Sequence, residues 1–330
     1  MKIGMLGSGM IANVFLETFQ DKGPISVKGI WCLESNLEQA NQMAEKFKVE
    51  YVDTDMDRFL NSDSFDTAYL AVINSLHYEY AKKALEAGKN VICEKPFTTT
   101  LWQAKELIDL AKEKGVFLFD CAPCRYNENE TALKEAIVKI GDVKIVSFAY
   151  SQYSRRYDKY MEGVVLPVFS LELAGGALYD LNIYCMNLIE DLFGEPKEYK
   201  YYANKGYNGV DVSGIMVMDY DSYKVTSFTA KDCSGQCDGY IQGTKGFIRI
   251  DGMPGNTQNM YLKMNGEEEV KIDVVEYNDS REYMFNKMEE MYENKEYERS
   301  YEMLEHTLNT MRIMENARKE AGIYFGGNND

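Results

Sequence analysis

Over roughly its first third the chain alternates short apolar runs with amphipathic stretches. The opening run Lys2-Ile3-Gly4-Met5-Leu6 predicts a strand, and a second is expected over 25–33. Across 36–48, Leu37, Ala40, Met43, Ala44 and Phe47 recur at helical spacing, which predicts a helix with one apolar face. Residues 67–73 are almost unbrokenly apolar, the pattern of a parallel strand covered on both faces. A helix over 78–87 ended by Gly88, a strand at 91–93, a helix over 101–114 closed by Gly115 and a strand at 116–119 continue the alternation. Repetition of this kind predicts a doubly wound parallel sheet.

The texture changes after residue 122. A long strand is expected over 143–153 and a helix over 177–192. Strand-like stretches then crowd together at 198–202, 213–220, 223–229, 239–243, 247–251 and 269–275. Runs of strands with little helix between them predict a second, α+β domain on a large, open, mostly antiparallel sheet. Helices are expected over 280–293 and 297–321, and 326–330 reads as a frayed tail. The division expected is 1–122 for a dinucleotide-binding domain and 123–330 for a substrate-binding and oligomerisation domain.

Three places carry candidate chemistry. The first is Gly7-Ser8-Gly9-Met10-Ile11-Ala12, a G-x-G-x-x-A motif set after a strand and before a helix. Gly7 suits the tight turn, Gly9 lets the backbone approach a pyrophosphate, and Ala12 lets helix and strand pack closely. The helix N-terminus holds the anion. A plain glycine turn is the alternative. Glu34, at the end of the second predicted strand, is placed to hydrogen-bond an adenosine ribose 2′-hydroxyl, and its charge would repel a 2′-phosphate. That favours NAD, with NADP as the alternative; a solvated glutamate opening the next helix is the bland reading.

The second place is Glu94-Lys95-Pro96, directly after the 91–93 strand. Ligands of doubly wound sheets lie at the carboxyl ends of the strands, so a lysine there is a catalytic candidate. A charged loop with a turn proline is the alternative. The third is Gly175-Gly176-Ala177-Leu178-Tyr179-Asp180-Leu181-Asn182-Ile183-Tyr184. Asp180 and Tyr184 are four apart, which puts a carboxylate and a phenol on one helical face. An incidental polar pair on a capped helix would look the same. Arg156 and Tyr157, in the polar aromatic stretch before the double glycine, are candidates to line a sugar or polyol pocket; a surface loop is the alternative.

Composition narrows the partners. A net charge of −17 over 330 residues argues against nucleic acid and anionic membranes. No apolar run approaches a membrane span, and no signal peptide fits before the first strand. Seven cysteines, an odd number in a large chain, suggest a reduced, cytoplasmic protein. Cys121-x-x-Cys124 and Cys233-x-x-x-Cys237 are too far apart and too loosely spaced to predict a zinc site, and no metal is expected. His306 reads as a packing or surface residue of the closing helix.

Taken together, the N-terminal fingerprint, Asn74-Ser75-Leu76-His77, Glu94-Lys95-Pro96 and the Gly175–Tyr184 segment resemble the glucose–fructose oxidoreductase, inositol dehydrogenase and MocA family of nicotinamide-dependent oxidoreductases. The resemblance covers nearly the whole chain. It implies a Rossmann domain followed by an α/β domain whose open sheet forms homodimers or homotetramers. It implies cofactor contacts from Gly7, Ser8, Gly9, Met10, Ile11, Glu34, Asn74, His77, Glu94 and Lys95, and a catalytic set of Lys95, Asp180 and Tyr184. A Lys95–Pro96 cis bond is frequent in relatives. Tyrosine at 184, with Arg156, Tyr157 and Phe169, is similar to the branch containing glucose–fructose oxidoreductase and the dihydrodiol and xylose dehydrogenases. Two departures stand out: Leu33-Glu34-Ser35 lacks the basic residue some relatives carry, and Asn182 stands where a glycine is usual.

The activity expected is hydride transfer between a secondary alcohol of a sugar, polyol or diol and NAD(P). Either Tyr184 or Lys95 handles the proton, and Asp180 orients the substrate or Lys95. The competing expectations are an NAD-assisted glycosidase or lyase on the same fold, and a non-enzymatic nicotinamide sensor.

Overall fold

Six strands build the first sheet of the computed structural model: β1 (Lys2–Leu6), β2 (Ser26–Trp31), β3 (Tyr51–Asp53), β4 (Thr67–Leu70), β5 (Asn90–Cys93) and β6 (Leu118–Asp120). All are parallel, in the order β3-β2-β1-β4-β5-β6. This is the doubly wound order whose ligand crevice lies where the strand order reverses, between β1 and β4. All four residues of β4 are buried, as a central strand covered on both faces requires. The connecting helices are α1 (Met10–Phe19), α2 (Leu37–Phe47), α3 (Met56–Leu60), α4 (His77–Glu86) and α5 (Leu101–Lys114). Gly115 closes α5 in the left-handed conformation, as expected.

The second sheet has eight strands. After α6 (Asn129–Lys139) come β7 (Val143–Ser151), α7 (Tyr157–Met161) and α8 (Ile183–Phe193). They are followed by β8 (Glu198–Lys205), β9 (Asp211–Asp219), β10 (Lys224–Ala230), β11 (Cys237–Gly243), β12 (Gly246–Asp251), β13 (Met260–Met264) and β14 (Val270–Lys271). Their order is β14-β13-β12-β11-β7-β10-β9-β8. Only β7 and β10 run parallel; every other pair is antiparallel. One face buries Val146, Phe148, Met216, Met218, Val225, Ile241, Ile248 and Ile250, while Ile145, Tyr202, Ile215 and Val217 are exposed on the other. That is the two-residue alternation of a strand.

The chain closes with α9 (Ser280–Glu293) and α10 (Tyr297–Glu320). It divides into two compact units, Met1–Cys121 with Met284–Thr307, and Ala122–Tyr283 with Leu308–Asp330. Residues 284–307 thus complete the first unit. Phe285 packs edge-on against Phe15 at 4.8 Å, and the Ser300 and Tyr301 hydroxyls donate to the Leu118 and Val116 carbonyls.

The structure describes residues 1–20, 22–277, 279–327 and 330. No helix among them is long and apolar enough to cross a membrane. Three details differ from the sequence reading. The strand expected over 269–275 shrinks to Val270–Lys271, and β3, α3, α6, α7 and β13 are additional. The helix expected over 177–192 opens as a π-turn, Leu178–Asn182, before α8. Of the expected frayed tail, Asn328 and Asn329 lie outside the described residues, whereas the Asp330 carboxylate accepts a bond from the buried Arg318.

Candidate active site

In the first unit, the carboxyl end of β1 turns at Gly7. Its φ is +108°, and a Cβ there would lie 2.5 Å from the Ala71 carbonyl oxygen, so only glycine fits. Gly9 caps α1 in an extended conformation with no side-chain bond to the helix amides. Apart from its chain neighbours, no atom of the described residues lies within 4 Å of where its Cβ would stand. Ser8 is buried, and its Oγ has no partner among the described residues; the Ser8 carbonyl is held by Gln39 Nε2 at 2.8 Å. Ala12 is fully buried, whereas Met10 is exposed and Ile11 partly so. An uncapped helix N-terminus, an unsatisfied hydroxyl and an open approach over Gly9 suit the pyrophosphate of a dinucleotide.

Along the same sheet edge, Glu34 opens a 3-10 turn after β2, and its exposed carboxylate accepts a 2.7 Å bond from Thr54 Oγ1. Asn74 opens the corresponding turn after β4 and is partly exposed. His77 is fully buried, with Nδ1 2.7 Å from the Pro96 carbonyl and Nε2 3.3 Å from that of Val72. The shorter contact places the proton on Nδ1. Burial depresses its pKa, so the ring stays neutral. The imidazole therefore braces the loop that carries Lys95 and does not open onto the crevice.

Glu94 is likewise occupied from inside. Its carboxylate accepts from the Tyr69 hydroxyl at 2.7 Å and the Lys95 amide at 3.3 Å, and it engages the Cys121 thiol. Lys95, half-buried, follows at the carboxyl end of β5, and the Lys95–Pro96 bond is cis.

In the second unit, the double glycine is explained by two close approaches. A Cβ on Gly175 would lie 2.6 Å from the Pro167 carbonyl oxygen. Gly176 has φ +120°, and a Cβ there would fall on the Asp211 carboxylate. Asp211 is buried and accepts from the Leu178 amide at 2.6 Å and the Tyr201 hydroxyl at 2.8 Å, so it caps the π-turn. Burial raises its pKa against the opposing pull of those bonds.

The π-turn carries Asp180, whose Oδ2 accepts a bond from the Lys231 ammonium. One turn on, Tyr184 is half-buried, edge-on to Tyr150 at 5.9 Å, and packed beneath by Gly255. Asn182 between them is fully buried, and neither amide atom finds a partner among the described residues. Arg156 is exposed. The Tyr157 ring meets Tyr153 edge-on at 5.7 Å, Tyr160 at 5.9 Å and Phe169 at 5.8 Å. Lys231, Asp211 and Gly255 are absent from the sequence-based expectations. Only Lys231 left a signal there: it extends the buried parity Val225, Ser227, Thr229 of β10, where a lysine is out of place.

A reversed-order parallel sheet with this glycine turn, joined in one chain to a large antiparallel sheet, defines a nicotinamide-dependent oxidoreductase of two domains. Residues 1–120 match the NAD-binding Rossmann fold, and residues 134–322 the C-terminal alpha/beta domain, of the Gfo/Idh/MocA oxidoreductase family; the chain belongs to that family. It is 31% identical over 331 residues to the scyllo-inositol 2-dehydrogenase (NADP(+)) IolU of Bacillus subtilis, covering 98% of each chain. It is 27% identical over 276 residues to the mouse trans-1,2-dihydrobenzene-1,2-diol dehydrogenase, covering 81% of this chain and 78% of that one. Among solved structures, the fold matches KijD10, a 3-ketoreductase from Actinomadura kijaniata in complex with NADP and TDP-benzene. That match has a TM-score of 0.83 and 19% identity, and it covers 97% of both chains.

Proposed function

We propose that the protein is a dehydrogenase or ketoreductase acting on a secondary alcohol of a cyclic polyol, sugar or diol. The observation that carries this reading is the glycine turn under the uncapped α1 N-terminus, with the buried Ser8 hydroxyl awaiting an acceptor. The relatives named for inositol and dihydrodiol substrates point the substrate class the same way. Gly7, Ser8, Gly9, Met10 and Ile11 hold the pyrophosphate, Asn74 contributes at the switch point, and Glu34 meets the adenosine ribose. His77 and Glu94 serve by bracing the Lys95 loop. A bound nicotinamide supplies the hydride donor or acceptor.

Lys95 donates a hydrogen bond to the reacting oxygen and stabilises developing alkoxide charge. Tyr184 exchanges the hydroxyl proton; a tyrosine titrates near 10, so a neighbouring cation must favour its phenolate for it to act as a base near neutral pH. Asp180 orients the substrate through a hydroxyl. Arg156 and Tyr157 line the substrate side. Like-charge repulsion at Glu34 disfavours a 2′-phosphate and favours NAD, although the Bacillus relative is named for NADP. We further infer a cytoplasmic protein, from seven cysteines none of which forms a disulfide. The exposed apolar residues Ile145, Ile215, Val217 and Tyr202 favour a homodimer or homotetramer through the second sheet.

Purified protein is incubated with NAD and NADP separately across inositols, sugars, polyols and diols while reduced nicotinamide is followed. Turnover is expected on a cyclic polyol or diol. Lys95→Ala and Tyr184→Phe should each lose about 100-fold or more in kcat, with cofactor affinity little changed. Near-normal turnover in both variants sinks the assignment. Product formation without net reduced nicotinamide turns the reading toward a redox-assisted lyase.

A further inference from the structure

Lys231 directly follows β10, and its side chain is 2% exposed. A lysine so placed loses several kcal/mol of hydration, and an apolar side chain of similar volume would avoid the loss. Its backbone is pinned on both sides: the Lys231 amide donates to the Val212 carbonyl at 2.8 Å, and its own carbonyl accepts from the Ser154 amide at 2.8 Å. The ammonium donates to Asp180 Oδ2 and, at 3.3 Å, to the Val168 carbonyl, and lies 5.1 Å from the Phe169 ring centroid. Val168 and Phe169 belong to the same short turn on which Gly175 packs. Asp180, in contrast, keeps 26% of its side chain exposed. The pair therefore has a closed end, the lysine, and an open end, the carboxylate.

We propose that Lys231 is a positioning residue for the reaction: it locks Asp180 as an ionised carboxylate in one orientation, so that Asp180 receives a hydrogen bond from a substrate hydroxyl and never donates one. The inference rests on the substrate-facing role assigned to Asp180 above. It gives the site a requirement for a hydroxyl donor at that position, hence for a polyhydroxylated substrate. Among the described residues, Asp211 on β9 feels the Lys231 charge and holds the Tyr201 hydroxyl of β8, Asp232 adjoins Lys231 in the chain and is felt by Tyr157 on α7, and Tyr184 follows Asp180 one turn on. Removing the Lys231 charge therefore weakens the stabilisation of both neighbouring carboxylates, Asp180 and Asp211.

The test uses the full chain with saturating cofactor and the polyol that wild type turns over. For wild type, Lys231→Met, Lys231→Arg and Asp180→Asn, kcat and KM are measured from about pH 3 to pH 9, with thermal unfolding in parallel. In Lys231→Met the acid limb of kcat/KM should move up by about one pH unit or more, because an unpaired carboxylate protonates more readily. KM should rise about 10-fold, while Lys231→Arg keeps the limb near its wild-type position. Asp180→Asn should abolish the limb, and adding Lys231→Met to it should shift nothing further. A folded Lys231→Met enzyme with an unmoved limb and normal KM overturns the proposal.

If Lys231→Met does not fold, the wild-type limb decides: a limb assigned to Asp180 that lies above about pH 6 means that Lys231 does not hold the carboxylate ionised. If wild type turns over no alcohol, the dehydrogenase reading fails separately. Carbon-13 titration of the Asp180 carboxyl in wild type and Lys231→Arg then reads the pairing. An ordinary or raised value in both refutes it, and a value below about 3.9 in both supports it.

Discussion

Replacing Gly176 with alanine tests how the π-turn that carries Asp180 is held. At φ +120° an L-residue is strained by about 1–3 kcal/mol. The new methyl would also fall on the Asp211 carboxylate, which must withdraw. Withdrawal weakens the bonds from the Leu178 amide and the Tyr201 hydroxyl, each about 1.5–3 kcal/mol for an ionised acceptor. Losing one of them brings the expected cost of Gly176→Ala to about 3–5 kcal/mol. In a unit of this size that corresponds to a Tm lower by roughly 10 °C. Differential scanning calorimetry gives the number directly. Asp211→Ala, which removes the obstacle, provides the cross-check: the double variant should lose at least about 1 kcal/mol less than the sum of the singles. A Tm drop under about 3 °C, or strict additivity, would refute the account of why glycine stands at 176.

Two further outcomes follow from the first unit. Gly9→Val adds a side chain into space that no protein atom occupies, so Tm should stay within a few degrees while calorimetric cofactor affinity falls about 10-fold or more; unchanged affinity would place the pyrophosphate elsewhere. His77 has a depressed folded pKa, so below about pH 6.5 the unfolded chain takes up a proton that the native state refuses. Its contribution to stability is therefore constant above that pH and falls as pH drops through it, by up to about 1.4 kcal/mol per unit. Denaturant unfolding of wild type against His77→Asn should show the gap changing between about pH 5 and 7 in the variant's favour, and a constant gap would mean that His77 is not held neutral.

The parts of the molecule readable from the chain are those whose physics is local. Residues 67–73 read as a buried parallel strand because both faces of β4 are covered, and Gly7 and Gly115 sit where positive φ is needed. Lys95 was found because a short apolar strand ends just before it. What stayed hidden depends on distant partners. The π-turn is capped by an aspartate 33 residues later, and Asp180 is held by a lysine 51 residues later. The resemblance implies His77 as a cofactor contact, and only the return of the chain through Pro96 shows its ring held inward. Helix α6 escaped notice because its buried positions include Asn129, which spends its amide on the Thr257 and Val275 carbonyls and the Val274 amide.

The return of residues 284–307 to the first unit also has a consequence during synthesis. The Leu118 carbonyl receives its bond from Ser300, 182 residues further along. At about 5–20 residues per second, a ribosome takes roughly 10–35 s to deliver that partner. Phe15 and Phe19 likewise wait for the Phe285 ring that later packs edge-on against both. The nucleotide-binding half of this chain is translated first but finished late, and the nascent polypeptide carries an open aromatic patch until its last helices emerge.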